Sequence, residues 1–331
     1  MGRDQDPIEW ASGGDRDLQE IATWEPRTAV DRLSTRLYGM ILAGGRAGLI
    51  GLALAMIAGQ LALTGVVTLE DPLVGVYIVL SVVPAVVLAG WLWRLDVVRY
   101  EPIGLLAGTF LLGVVLAGFA AVVNSSLRGL FVGLGGFGLV LYFFVVVGPI
   151  EETVKLLAVR LHAYRSERFD AVIDGAIYGA VAGLGFAAIE NTLYITQEYL
   201  QAAGSGPGLL VPGARTAALR SFAGPGHVIY SAFAGYYLGL AKFNPDHRGP
   251  LVVKGLLIAT AIHASYNAMV SNLEVVAGVV PFLGGLPPTV AFIVFVIVFD
   301  GFFLAVLAAK LGRYRRTFEA VGASAFYADR E

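Results

Sequence analysis

Residues 102–123 read PIGLLAGTFLLGVVLAGFAAVV, 22 consecutive positions without a charge. At about 1.5 Å per helical residue this run is about 33 Å long, enough to cross the roughly 30 Å hydrocarbon core of a bilayer. Comparable apolar stretches recur near 47–69, 73–93, 129–154, 171–194, 216–241, 250–271 and 289–311. Over the 331 residues, 57% are hydrophobic and 15% charged, against about 25% charged in an ordinary soluble domain. A water-soluble fold is excluded. The expected fold class is all-α, a polytopic transmembrane helix bundle of about eight spans that lies in the cell membrane with the lipid bilayer as its solvent.

The regions outside these runs set the domain plan. Residues 1–36 mix acidic and basic groups and read as a solvated cytoplasmic tail. Residues 37–312 form the transmembrane domain, with a catalytic core at about 145–270, and 313–331 form a cytoplasmic C-terminal tail. Lys and Arg concentrate on the cytoplasmic side of short loops. With both termini inside, 20 of the 23 basic residues fall on that side, leaving Arg128, Arg215 and Arg220 outside. The longest outer loop is expected at 195–215, around Gly-Ser-Gly-Pro-Gly at 204–208. No soluble catalytic domain is left over, so any chemistry takes place inside the bilayer.

Composition also bounds the chemistry. The net charge of −2 comes without a basic run, so nucleic acid is not an expected partner. With no cysteine there are no disulfides, thiol nucleophiles or Cys-ligated metals. Any metal must be held by His, Asp, Glu or Asn. Gly133, Gly135 and Gly138 formally match a dinucleotide-binding fingerprint but lie in an apolar span without the required strand. Gly175, Gly179 and Gly183 recur every four residues and line one helix face for close packing. Asn124-Ser125-Ser126 has the form of a glycosylation acceptor in a loop too short to favour it.

Ionisable groups inside spans carry the functional argument, because each costs roughly 3 kcal/mol at the bilayer centre and needs a partner. Span four ends in Glu151-Glu152-Thr153-Val154-Lys155, where one lysine, at i+4 and i+3, serves two carboxylates. Span five carries Phe186 and Glu190 one turn apart, on the face of Gly183. In span six His227 follows Gly224-Pro225-Gly226, a sequence that breaks or kinks a helix at membrane depth. Span seven puts His263 and Asn267 on one face. His162 and His247 fall in cytoplasmic loops and read as solvated. Four successive spans thus supply polar sites while the other spans supply nearly none, and a bundle of spans four to seven has the parts of a water-activating hydrolase. A proton-coupled transporter or channel, or a non-catalytic membrane scaffold, would use the same groups differently.

A turn centred near residue 167 leaves Glu151 about 16 residues before it and Glu190 about 23 after, a mismatch of about 10 Å in depth.

Glu151-Glu152-x-x-Lys155, Phe186-x-x-x-Glu190-Asn191, His227 and His263-x-x-x-Asn267, in that order on successive helices, resemble the PrsW-type intramembrane proteases, relatives of the CAAX prenyl endopeptidases (the CPBP superfamily). The resemblance covers about residues 145–270. It implies a membrane helix bundle that hydrolyses peptide bonds, with the paired glutamates and the histidines as catalytic groups and a membrane-anchored protein as substrate. CAAX-type relatives carry His where this chain has Glu190, a departure that fits the PrsW branch.

The expected mechanism has Glu151 or Glu152 as general base on a water, Lys155 neutralising the other carboxylate, and His263 with Asn267 stabilising the oxyanion. Two variants stay open. In one, a divalent metal, zinc by its ligand chemistry, is held by Glu190, His227 and His263; Glu190 completes the set because Lys155 lies beside the other two carboxylates. In the other, a glutamate–histidine pair activates the water without metal.

Overall fold

The computed structural model describes residues 17, 25–97, 100–202 and 210–320. Most of the expected N-terminal tail, the glycine-rich 204–208 segment and residues 321–331 lie outside them. The described residues contain no strand. Among these residues ten α-helices follow one another: α1 (Ala29–Glu70), α2 (Pro72–Trp93), α3 (Ile103–Val132), α4 (Gly135–Tyr142), α5 (Gly148–Leu161), α6 (Val172–Ala202), α7 (Leu210–Phe243), α8 (Arg248–Ser271), α9 (Leu273–Val279) and α10 (Pro288–Ala320).

The chain divides into two units, residues 1–55 and 56–331. In the first, Thr28 and Asp31 cap the start of α1 reciprocally. The Asp31 amide donates to Thr28 Oγ1 at 3.1 Å and the Thr28 amide to Asp31 Oδ2 at 2.7 Å. This helix starts inside the stretch expected to be tail. The second unit holds every candidate site residue.

Among the described residues, seven helical segments are long and apolar enough to cross a membrane: 50–70, 72–93, 103–132, 135–165, 172–202, 245–271 and 288–320. The expected sixth span corresponds to α7, which is 34 residues long but more polar, carrying Arg215, Arg220 and His227. Its partner explains how those residues are accommodated. A Cβ at Gly175, Gly179 or Gly183 would collide with the carbonyls of Gly235, Ser231 and His227 respectively, so α6 and α7 run antiparallel with their backbones in contact. The apolar window of α6 is 89% buried, against 11–39% for the other six. It is the central helix of its unit, and α7 shields its polar groups against it.

Three expectations about local structure change. The outer loop expected at 195–215 is largely helix, because α6 continues to Ala202 and α7 begins at Leu210. The apolar Ile195 and Tyr199 keep the helical face going and are buried. The helix α7 also passes unbroken through Gly224-Pro225-Gly226. Pro225 removes only one i→i−4 bond, and the flanking glycines give its ring room. Finally, α3 runs on to Val132, so Asn124 is a helix residue and not part of a loop.

Between α4 and α5 the helix widens to a π turn over Phe143–Val147. Pro149 follows after Gly148 and has no N–H to return to the preceding turn, which accounts for the widening there. The turn sets the direction of α5 just before Glu151. Counted from the ends of α5 and α6, the mismatch between Glu151 and Glu190 is about 12 Å. Residues 162–171, a 3-10 turn and an irregular segment, separate those two ends.

Glu101, between α2 and α3, is buried and accepts a hydrogen bond from the Tyr178 hydroxyl of α6. Burial pushes its carboxyl up to about 8 from an ordinary 4.5. A carboxyl that binds its proton more tightly when folded contributes stability fully present below about 4.5 and lost as pH rises through about 8. Thermal unfolding in detergent should therefore show stability falling over that interval, and Glu101→Gln should flatten the fall; an unchanged pH profile in the variant would contradict this.

Candidate active site

The helices α5, α6, α7 and α8 bring their polar residues to one place. Glu151, Glu152, Lys155, His227 and His263 are all buried. Because Glu152 follows Glu151 by one position, the two carboxylates leave α5 in different directions and meet different neighbours.

Glu152 is fully committed. Its Oε1 accepts from Lys155 Nζ at 2.7 Å and lies 2.9 Å from His263 Nδ1, while its Oε2 accepts from Ser231 Oγ at 3.2 Å. As a carboxylate it offers only lone pairs, so the imidazole must carry its proton on Nδ1. That leaves His263 Nε2 as an acceptor.

Glu151 is half committed. Its Oε1 accepts from Asn124 Nδ2 at 3.1 Å, and the backbone carbonyl of Asn124 accepts from the Tyr142 hydroxyl at 2.9 Å. Its Oε2 is buried without a hydrogen-bond partner. It lies 3.6 Å from Lys155 Nζ and 3.7 Å from His263 Nε2. Two atoms with unused lone pairs thus face each other across a gap, and a buried polar atom without a partner needs a reason.

His227 joins the two depths of the site. Lys155 Nζ lies 2.9 Å from its Nδ1, and Glu190 Oε2 lies 2.8 Å from its Nε2. The ammonium can only donate, so His227 accepts at Nδ1 and donates its Nε2–H to Glu190. Phe186 covers this pair, its ring centroid 4.2 Å from Lys155 Nζ and 5.5 Å from the His227 ring. The rings of His227 and His263 meet edge to face at 5.2 Å.

Glu190 has a further partner that the charge count had put at the outer end of span six. Arg220 Nη2 donates to Glu190 Oε2 at 2.8 Å and its Nε to Asn191 Oδ1 at 2.8 Å. Asn191 Nδ2 in turn donates to the Ser81 carbonyl of α2 at 3.1 Å. Arg220 and His227 are seven residues apart, two turns on one face, which is the signal in the sequence that links them. Asn124 and Ser231 are the other contributors that periodicity did not single out.

Asn267 lies one turn beyond His263 on α8 and is half-buried. His247 is exposed. His162 is half-buried, and its Nε2 sits in the notch that Gly108 leaves on α3, so it is a packed residue and not the solvated one expected.

The arrangement also has metal-ligating capacity. One atom each of Glu151, His227 and His263 lie within 4.8 Å of one another. Two imidazoles and a carboxylate are a donor set that zinc accepts. The partnerless Glu151 Oε2 and the acceptor Nε2 of His263 fit such an ion directly. His227 has both nitrogens engaged and would give up one contact to join. Glu190, nominated from sequence to complete the set, is instead held between Arg220 and His227.

The profile of a family described as PrsW family intramembrane metalloprotease matches residues 101–302. Protease PrsW of Halalkalibacterium halodurans is 30% identical over 191 residues, covering 57% of this chain and 80% of that protein. Protease PrsW of Bacillus subtilis is 28% identical over 196 residues, covering 59% and 82%. Protease PrsW of Clostridioides difficile is 31% identical over 192 residues, covering 57% and 76%. No solved structure matches the chain. The matched region takes in α3 to α8 with every residue of the polar centre, and on that basis this multi-pass membrane protein is a protease that belongs to the PrsW family of intramembrane metalloproteases.

Proposed function

We propose that the chain cleaves peptide bonds of membrane-anchored proteins with a water held between Glu151 Oε2 and His263 Nε2. The observation that carries this reading is the 3.7 Å gap between those two buried acceptor atoms, one of which has no other hydrogen-bond partner. A water there donates to both, and Glu151 takes its proton as the oxygen attacks the scissile carbonyl. The same carboxyl then returns the proton to the leaving amine. Glu152, neutralised by Lys155, fixes the His263 tautomer and does not itself meet the water. Asn267 offers an amide N–H to the developing oxyanion, a part His263 cannot share while its Nδ1 proton is held by Glu152 and its Nε2 accepts from the water. Glu190 and Arg220 hold His227.

A divalent cation, zinc by ligand chemistry, would be held by Glu151, His227 and His263, and when bound supplies Lewis-acid polarisation of the water and the carbonyl. The relation to CAAX-type endopeptidases rests on motif order, and Glu190 in place of their His argues against a prenylated substrate. Purified protein incubated in detergent with single-span membrane proteins tests the reading: new fragments are expected, and none from Glu151→Gln.

We also propose eight crossings with both termini cytoplasmic, which the 20-to-3 split of basic residues supports. The chain has no native cysteine, so single cysteines can report sidedness. Cysteine at Gly206 should label from outside, and at Arg165 and Arg315 from inside. Labelling of Gly206 from the inside would overturn the eight-span arrangement.

A further inference from the structure

The last long helix, α10, carries one carboxylate among apolar residues, Asp300, and it is buried. An ionisable group inside a span is costly and needs a specific partner. Its partner is the Tyr230 hydroxyl of α7, which donates to Asp300 Oδ1 at 2.8 Å. Tyr230 is itself about 1% exposed, and its ring lies against His263, centroids 5.5 Å apart with 31° between the planes. Gly226 makes room for this hydroxyl, since a Cβ there would lie 2.6 Å from it. The Gly-Pro-Gly sequence of α7 thus has a second consequence besides tolerating Pro225: it lets the tyrosine turn toward α10.

His263 is tethered at one point, Nδ1, by Glu152. A single tether fixes the tautomer but leaves the ring free to swing about that bond, and a swing carries Nε2 away from Glu151 Oε2. The Tyr230 ring blocks the swing on one face, and His227 meets the ring edge to face. Tyr230 can do so only while its own hydroxyl is held.

We propose that Asp300 is a positioning residue for peptide hydrolysis, acting through the Tyr230 hydroxyl to hold the His263 ring against Glu151. The proposal rests on His263 being part of the catalytic centre. It gives α10, outside the polar helices, a defined part in the reaction. Misplacement of a reacting group by about 1 Å costs about 100-fold in rate. Losing the Tyr230–Asp300 bond is therefore expected to lower kcat by about 10- to 100-fold with KM nearly unchanged, because the substrate meets neither group.

Four variants of the full chain in detergent test this, with single-span membrane protein as substrate. Tyr230→Phe and Asp300→Leu should each lower kcat by that factor, and the double variant should be no worse than either single one, since both break one bond. Asp300→Asn keeps an acceptor oxygen and should recover most of the rate. Losses that multiply in the double variant, a loss confined to KM, or no rescue by Asn would overturn the proposal. A second readout needs no turnover: ring-nitrogen resonances of 15N-histidine, with His263 assigned by its loss in His263→Ala. One sharp tautomer is expected in the native protein and in Asp300→Asn, and an exchange-broadened signal in Tyr230→Phe. A sharp, unshifted His263 signal in Tyr230→Phe would sink the brace whether or not the protein cleaves anything. Loss of cleavage in Asp300→Leu together with full activity in Glu151→Gln would instead mark the failure of the catalytic reading.

Discussion

Glu151→Gln is expected to lower peptide hydrolysis by about 100- to 10,000-fold, the range that general acid–base catalysis contributes, while the protein stays folded. The carboxamide can keep the hydrogen bond from Asn124 by presenting its oxygen to that donor. Its nitrogen then stands where Oε2 stood and cannot accept a proton. Glu152→Gln is expected to behave differently. Removing that charge leaves Lys155 Nζ, 2.7 Å away and fully buried, without its nearest counter-ion. Breaking one side of a buried ion pair typically costs about 3–5 kcal/mol, so this variant should lose thermal stability as well as activity. His247→Ala, exposed and remote from α5, serves as the neutral control. Activity assays paired with melting curves separate the two glutamates. Full activity in Glu151→Gln would end the water mechanism, and a native melting curve for Glu152→Gln would show that Lys155 does not depend on it.

The spans were legible because bilayer crossing leaves so strong a compositional trace, and the four polar helices because a buried carboxylate or imidazole is expensive enough to stand out against it. Periodicity also placed Gly175, Gly179 and Gly183 on one face, and that face is where α7 packs. What a single sequence could not supply is which rotamer serves which partner. Lys155 lies at both i+3 and i+4 from the glutamates, and helical spacing alone does not choose; the lysine lies 2.7 Å from Glu152 and 3.6 Å from Glu151. Arg220 was counted with an outer loop because charge near a span edge reads as topology, yet it is a partner of Glu190. Asn124 was hidden by a loop assignment that ended α3 too early. Asp300 carries the same signal as Glu190, a carboxylate in an apolar run, but its partner is 70 residues away and is a tyrosine, which no local pattern marks.

The second large effect concerns the carboxylate that completes a metal set. By sequence, Glu190 is the better ligand because Lys155 lies beside Glu151 and Glu152, and a cation beside a ligating carboxylate competes with the metal. In the structure the same competition turns against Glu190, whose Oε2 is held by Arg220 at 2.8 Å, and favours Glu151, whose Oε2 has no hydrogen-bond partner and stands 3.6 Å from Lys155. We therefore expect Glu151→Ala, His227→Ala and His263→Ala each to lose bound metal entirely, since a three-ligand site rarely survives the loss of one ligand. Glu190→Gln should keep a stoichiometric ion and bind it about 10- to 100-fold more weakly, the usual cost of removing a group that orients a ligating histidine. Elemental analysis and competition with chelators on purified protein read both effects without any substrate. Metal retained in Glu151→Ala but lost in Glu190→Gln would return the ligand set to Glu190, His227 and His263. Activity that persists without stoichiometric metal and resists strong chelators would leave Glu151 and His263 to activate the water unaided, which their 3.7 Å separation permits.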